Sequence, residues 1–128
     1  MTTTDGVTKP SKLIFAPGEN PSDGYQPSQA AQFKVGTLVR SDLMDDPFAQ
    51  FHKWFSDPAL QGTVPETVTL STAELPSGRV SSRMVYLKEL DDNGWVIYSN
   101  WGTSRKSKDV ESNPHASLCF WWKPLERQ

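Results

Sequence analysis

Three segments between residues 67 and 100 constrain the fold most strongly. They cover residues 67–74, 79–90 and 95–100, and they are rich in β-branched and aromatic residues. The turn sequences LPSG and DDNG separate them, and DDNG is a good hairpin signal because Asp, Asn and Gly accept the backbone angles of tight turns. Strands joined by turns this short pair with their sequence neighbours. The sequence therefore predicts a three-stranded antiparallel meander.

A helix is predicted before the meander, in the stretch DDPFAQFHKWFSDPAL. Its aromatic residues recur at helical spacing and form an apolar stripe that must pack on another element. Asp45 or Asp46 is the N-cap, Pro47 takes the first helical position, and Pro58 limits or kinks the helix.

A second helix and a fourth strand are predicted after the meander. TSRKSKDVESNP predicts a short helix that begins at Thr103 or Ser104 and ends before Pro114. The apolar stretch 115–123 predicts the fourth strand, in which we expect Cys119 to be a buried small hydrophobe. The predicted fold class is mainly β with short helices, that is, α+β.

The chain has 128 residues, and residues 1–42 are rich in Pro, Gly, Ser and Thr. They predict a flexible N-terminal arm, which leaves residues 43–128 as the folded domain. A domain this small buries only about 60–65% of its unfolded surface. We therefore expect a ligand or a second subunit to cover more of it.

Composition excludes several classes of protein. The net charge of −2 argues against general nucleic-acid binding, which requires a basic excess. The single cysteine cannot form an internal disulfide, and no Cys/His cluster has the spacing of zinc ligands. No apolar run approaches the ~18 residues of a membrane span. We expect a cytoplasmic protein with no metal site and no nucleic-acid or membrane partner.

Two adjacent cations, Arg105 and Lys106, lie where the second helix begins. A helix N-terminus carries about +0.5 charge, so each exposed cation there costs about 0.3–1 kcal/mol. One interpretation is a phosphate site formed by free helix N–H groups, both cations and the hydroxyls of Thr103 and Ser104. The alternative is that both cations are solvated and that Asp109 offsets them through i,i+4 and i,i+3 pairs.

The strand RMVYLK holds a second candidate pair, Arg83 and Lys88. In a regular strand these two side chains face opposite sides of the sheet. Both reach one small group only if a bulge intervenes or the ligand also contacts backbone. The alternative is a half-buried strand with ordinary surface cations.

Aromatic residues and histidines offer weaker signals. Trp101, Trp121 and Trp122 are expected in the core or at an interface. Stacking of single-stranded RNA on these tryptophans is a further interpretation, which the negative net charge disfavours. His52 and His115 have no paired nucleophile or carboxylate, so we predict a structural role for both. The sequence identifies no catalytic residue.

Three motifs, RMVYLK, YSNWGTSRK and WKPLERQ, occur in this order after DDPFAQFHKWF. In this order and spacing, residues 43–128 closely resemble the pyridoxamine 5'-phosphate oxidase family. The resemblance implies an FMN-binding split β-barrel that works as a homodimer, with FMN in clefts between the subunits. Members of that family continue for about as long again, so the match is to an N-terminal half and the barrel is truncated in this sequence.

The resemblance also assigns a role to each matching residue. It implies that the strand from Arg83 to Lys88 lines the FMN and that Lys88 also touches the substrate phosphate. It implies that two cations of the second helix grip the phosphate of FMN. The implied cofactor-binding set is Arg83, Met84, Val85, Tyr86, Leu87, Lys88, Tyr98, Ser99, Arg105, Lys106 and Gln128.

The implied activity is the oxidation of pyridoxamine or pyridoxine 5'-phosphate to pyridoxal 5'-phosphate, with FMN as cofactor and oxygen as acceptor. In the family, the second half supplies further flavin contacts and most ligands of the substrate phosphate. The alternative is a non-catalytic flavin-binding or dimerisation module derived from the same fold.

Overall fold

The computed structural model describes residues 36–128, which form two short α-helices and a four-stranded sheet. The helices and strands are α1 (Pro47–Phe55), β1 (Thr67–Ala73), β2 (Val80–Asp91), β3 (Gly94–Ile97), α2 (Arg105–Ser112) and β4 (Ala116–Phe120). Short 3-10 turns cover Arg40–Asp42, Pro58–Leu60 and Lys123–Leu125. The predicted arm lies mostly outside the described residues and stays a prediction.

All strand pairs in the sheet are antiparallel, in the order β3-β2-β1-β4. The predicted meander is confirmed. The third strand is shorter than predicted, since its pairing with β2 stops at Leu87 opposite Ile97. The fourth strand pairs with β1, with Leu118 opposite Leu70. The segment that contains α2 therefore connects one edge of the sheet to the other.

The structure of helix α1 selects one of the two predicted N-caps, Asp46, and shows that the helix ends before Pro58. The side chain of Asp46 accepts a hydrogen bond from the backbone N–H of Phe48 at 3.0 Å, and Pro47 takes the first position. The helix ends at Phe55, and a 3-10 turn begins at Pro58. A residue without an N–H and with a fixed φ cannot extend the preceding helix, which accounts for this boundary.

The core lies between α1 and one face of the sheet. Phe51 is central to it, with ring centroids 5.0 Å from Phe120, 5.4 Å from Trp122 and 5.6 Å from Trp95. Aromatic rings at these separations gain packing energy beyond that of area burial. The buried apolar side chains are Leu60, Val68, Leu70, Val85, Leu87, Phe120 and Trp122.

The prediction that Cys119 is buried is wrong, because its thiol is exposed. Side chains alternate across a strand, and Phe120 occupies the core face of β4, so its neighbour must face the other side. The three tryptophans expected in the core or at an interface also differ in burial. Trp122 is buried, whereas Trp101 and Trp121 are about half exposed.

Candidate functional site

The first turn of α2 has no side-chain cap. Ser104, one of the two predicted starts, is the N-cap residue, but its hydroxyl donates to the carbonyl of Trp101 at 3.2 Å and accepts no helix N–H. The amides at the start of a helix have no intrahelical acceptor, so without a cap they remain available to another acceptor. This end of α2 can therefore receive an anion.

Lys106 and Arg105 differ in their surroundings. Lys106 is only 9% exposed, and within residues 36–128 its ammonium has no hydrogen bond or ion pair. The side chain of Arg105 is 47% exposed, with Nε 3.8 Å from Oδ1 of Asp109. The i,i+4 pair that we considered as the alternative to a phosphate site is thus present for Arg105. The side chain of Lys106, in contrast, is largely buried.

Asp109 links α2 to the sheet and is fully buried. Its Oδ2 accepts hydrogen bonds from Thr72 at 2.7 Å and from Ser81 at 2.8 Å. These two hydroxyls, and then the charges of Arg105 and Arg83, lower the pKa of the Asp109 carboxyl, although burial alone would raise it. Asp109 is therefore a carboxylate at neutral pH. Its Oδ1 is buried and accepts no hydrogen bond within the described part of the chain.

The strand RMVYLK places its two cations on opposite faces, as predicted. Arg83 faces inward and donates to the carbonyl of Leu70 and the hydroxyls of Thr72 and Ser81, at 3.2, 2.8 and 2.6 Å. Lys88 is exposed, with Nζ 5.9 Å from the ring centroid of Tyr86. The register of β2 and β3 shifts around Lys88, which is a local bulge.

The other residues of this strand also divide between the two faces. Met84 and Tyr86 are exposed, whereas Val85 and Leu87 are buried in the core. Any contact of these two buried residues with a ligand on the exposed face must therefore use their backbone groups. Lys88 also lines an open cavity of about 400 Å³, together with Phe51 and other residues of α1 and β2.

Tyr98 and Ser99 lie just after β3 and are exposed. The hydroxyl of Tyr98 donates to Oε1 of Glu89 at 2.5 Å, and this hydrogen bond, with the charge of Glu89, raises the pKa of Tyr98. Gln128 is exposed and follows a β-bridge between Trp122 and Arg127. No hydrogen bond or ion pair within residues 36–128 joins Tyr98, Ser99 or Gln128 to Asp109.

Sequence reasoning missed Thr72 and Ser81 and saw Asp109 only as a partner of nearby cations. Thr72 and Ser81 lie opposite each other in the register of β1 and β2. Both belong to the inward-facing row of their strands, where the remaining members are Arg83 or apolar. Two polar residues at inward-facing strand positions could have indicated a buried polar site. Their pairing, however, depends on the register of β1 and β2, which cannot be read from the sequence.

The described residues contain neither a metal-binding cluster nor a helix that could cross a membrane. Within residues 36–128, no group of three His, Cys, Asp or Glu side chains is placed to hold a metal ion. No helix in that range is both long and apolar enough to span a bilayer.

A family model described as pyridoxamine 5'-phosphate oxidase matches residues 58–128, which is more than half of the chain. The chain belongs to this family. The resemblance noted in the sequence is thereby confirmed. The four-stranded antiparallel sheet with two short helices is consistent with the split β-barrel that the resemblance implied, and the α+β class is confirmed.

Curated relatives carry the same family name. A fission yeast protein (Schizosaccharomyces pombe) named probable pyridoxamine 5'-phosphate oxidase is 50% identical over 120 residues, which cover 91% of this chain and 47% of the relative. A Saccharomyces cerevisiae pyridoxamine 5'-phosphate oxidase is 48% identical over 120 residues, with the same coverage. A Paraburkholderia phymatum pyridoxine/pyridoxamine 5'-phosphate oxidase is 44% identical over 98 residues, covering 75% of this chain and 45% of the relative. The chain spans about half the length of these relatives.

Proposed function

We propose that this chain provides the FMN-phosphate site of an FMN-dependent oxidase that converts pyridoxamine or pyridoxine 5'-phosphate to pyridoxal 5'-phosphate, with oxygen as acceptor. The observation that carries this proposal is Lys106, a buried cation without a polar partner among residues 36–128, next to an uncapped helix start. Family membership and the names of the relatives support the same reaction.

The energetics favour a phosphate at this place. Lys106 is only 9% exposed, so its ammonium is less screened by water than a surface ammonium and its attraction to an anion is stronger. A dianionic phosphate at the start of α2 would accept charge-assisted hydrogen bonds from Lys106 and Arg105. It would also accept hydrogen bonds from the backbone N–H groups of the first turn, which have no acceptor within the helix. The residues present therefore fit the phosphate of FMN.

The positions of the side chains support the remaining assignments that the resemblance implies. Tyr98, Ser99 and Gln128 are exposed and available to the cofactor. Lys88 lines a cavity and has its ammonium exposed, which supports a contact with the substrate phosphate. The bound flavin would supply the acceptor for a hydride equivalent, and these residues would bind and orient its phosphate and the substrate. No residue of this chain is assigned as a general acid or base.

Assembly is part of the proposal. We propose a homodimer, in which a second subunit covers the exposed face of the sheet that carries Met84 and Tyr86. Exposed apolar side chains on a sheet face are typical of interaction surfaces. The cytoplasmic location stays a prediction.

Titration of the purified protein with FMN and with riboflavin tests this function. Riboflavin lacks the phosphate, so we expect FMN to bind at least about tenfold more tightly, the equivalent of about 1.4 kcal/mol. Equal affinities, or no flavin binding, would contradict the phosphate site. Peroxide release on addition of pyridoxamine 5'-phosphate would then support the oxidase, whereas FMN binding without turnover would favour the non-catalytic module.

A further inference from the structure

Asp109 presents an electrostatic problem for a phosphate site. Its carboxylate is fully buried, four residues after Arg105 and three after Lys106 on the same helix. Coulomb repulsion alone would make this charge unfavourable for a phosphate held by these cations. A buried carboxylate beside an anion site is therefore expected only if it has a role that offsets this repulsion.

The two oxygens of Asp109 have different environments. Oδ2 is anchored by the hydroxyls of Thr72 and Ser81 at 2.7 and 2.8 Å, and it lies 4.0 Å from Nη2 of Arg83. Oδ1 accepts no hydrogen bond within the described residues, and its charged neighbour is Nε of Arg105 at 3.8 Å. One oxygen thus fixes the carboxylate to the sheet, and the other faces Arg105.

The guanidinium of Arg105 approaches Asp109 through its Nε. A guanidinium is planar and presents its donors as a fork, so the direction of one edge determines the direction of the others. With Nε turned toward the carboxylate, one terminal amino group lies along the same edge, and the end of the fork, where both terminal amino groups carry N–H bonds, faces a different direction. Arg105 makes no other hydrogen bond or ion pair among residues 36–128, so these groups are available to a ligand.

We propose that Asp109 is a positioning residue for the FMN phosphate: it holds the Nε edge of Arg105 and so directs the terminal amino groups of Arg105 toward the phosphate. This inference rests on the proposed function. It predicts that removal of the negative charge weakens phosphate binding, which is the opposite of what Coulomb repulsion alone predicts.

Asp109→Asn is the most direct variant, because Asn keeps one oxygen that can accept from Thr72 and Ser81 and replaces the other with an NH₂ group. We expect the affinity for FMN to fall about tenfold and the affinity for riboflavin to change less than about twofold. In an Arg105→Ala background, the same substitution should change FMN affinity less than about twofold, because residues that act through one contact are not additive.

Arg105→Lys provides a second variant at a half-exposed position, where the protein should fold normally. Lys keeps the charge but lacks the planar fork. We expect a several-fold loss of FMN affinity and unchanged riboflavin affinity.

The outcomes separate the inference from the proposed function. If the wild-type protein does not prefer FMN to riboflavin, the proposed function fails and the inference fails with it. If the wild type prefers FMN but Asp109→Asn and Arg105→Lys keep that preference, only the inference fails. An equal loss of FMN and riboflavin affinity in Asp109→Asn would show a merely structural role and would also overturn it.

Discussion

The two fully buried side chains of largest volume, Val68 and Asp109, mark two regions of one sheet face. Opposite pairs in β1 and β2 change character along the strands, from Val68 and Val85 at one end to Thr72 and Ser81 at the other. We call the first region, together with the aromatic residues of α1, the apolar end. We call the second region, together with Arg83, Asp109 and the start of α2, the polar end.

The two ends are held together by different physics. At the apolar end, burial removes hydrocarbon from water and is favourable without any specific partner. At the polar end, each buried charge loses hydration and needs a partner to recover it. Lys106 has no such partner within residues 36–128, and Oδ1 of Asp109 accepts no hydrogen bond there. The apolar end is therefore stable without a partner, whereas at the polar end the proposed phosphate would supply the partner that Lys106 lacks within residues 36–128.

The largest expected effect is on stability at the apolar end. Trp122→Ala should lower the free energy of unfolding by about 3–5 kcal/mol, because a large buried aromatic leaves a cavity. The indole also loses its hydrogen bond from Nε1 to the carbonyl of Pro65. Urea denaturation measures the change. Trp101→Ala is the matched control, at a half-exposed position, and should cost less than about 1 kcal/mol. Equal losses would contradict the assignment of the core.

Lys106→Met should act in opposite directions on binding and on stability. We expect FMN affinity to fall by at least about tenfold, because a charge-assisted hydrogen bond contributes about 1.5–3 kcal/mol. Without ligand, the free energy of unfolding should stay unchanged or rise by up to about 1 kcal/mol, because Met fills the same largely buried position without a charge to desolvate. Flavin titration and urea denaturation measure the two quantities.

Lys108→Met is the control for that experiment, because Lys108 lies on the same helix and is exposed. It should change neither FMN affinity nor stability by a measurable amount. A loss of stability in Lys106→Met, with FMN affinity retained, would show that Lys106 belongs to the structural framework.

Arg105→Glu should weaken FMN binding by more than about 1 kcal/mol, since it removes a charge-assisted contact and adds repulsion. The same titration measures it, with Lys108→Glu as a control for the change in net charge. If both variants bind FMN as tightly as the wild type does, Arg105 has no phosphate role.

The smallest effect concerns pH and the polar end. The folded pKa of Asp109 lies below its ordinary value of 3.8, so its contribution to stability is present above that value and is lost as pH falls through the lowered pKa. The stability difference between the wild type and Asp109→Asn should therefore be constant near neutral pH and shrink below about pH 4. Thermal unfolding at several pH values measures this difference. A difference that grows on acidification would contradict the lowered pKa.

The comparison also explains how far the sequence could predict the structure. The approximate strand positions and both turns follow local rules of side-chain periodicity and were predicted. The N-cap of α1 and the start of α2 were each narrowed to two neighbouring residues, one of which the structure shows. The pairing of β4 with β1 is non-local and was not predicted. The exposure of Cys119 was missed because an apolar run does not reveal which of its alternate residues face the core.

The candidate site was predictable only in part. The adjacent cations were found because two cations at a helix start are locally unfavourable. Their different burial was not found, because the burial of Lys106 depends on how α2 docks on the sheet. The anchoring of Asp109 depends on the register that places Thr72 opposite Ser81, which no local pattern encodes.

A crystal structure of the protein with bound FMN would show whether the phosphate lies at the start of α2. We expect phosphate oxygens about 3 Å from Nζ of Lys106 and from the first-turn amides of α2, which is ordinary hydrogen-bond distance. A phosphate bound elsewhere, with Lys106 still buried and without a partner, would contradict the proposed phosphate site.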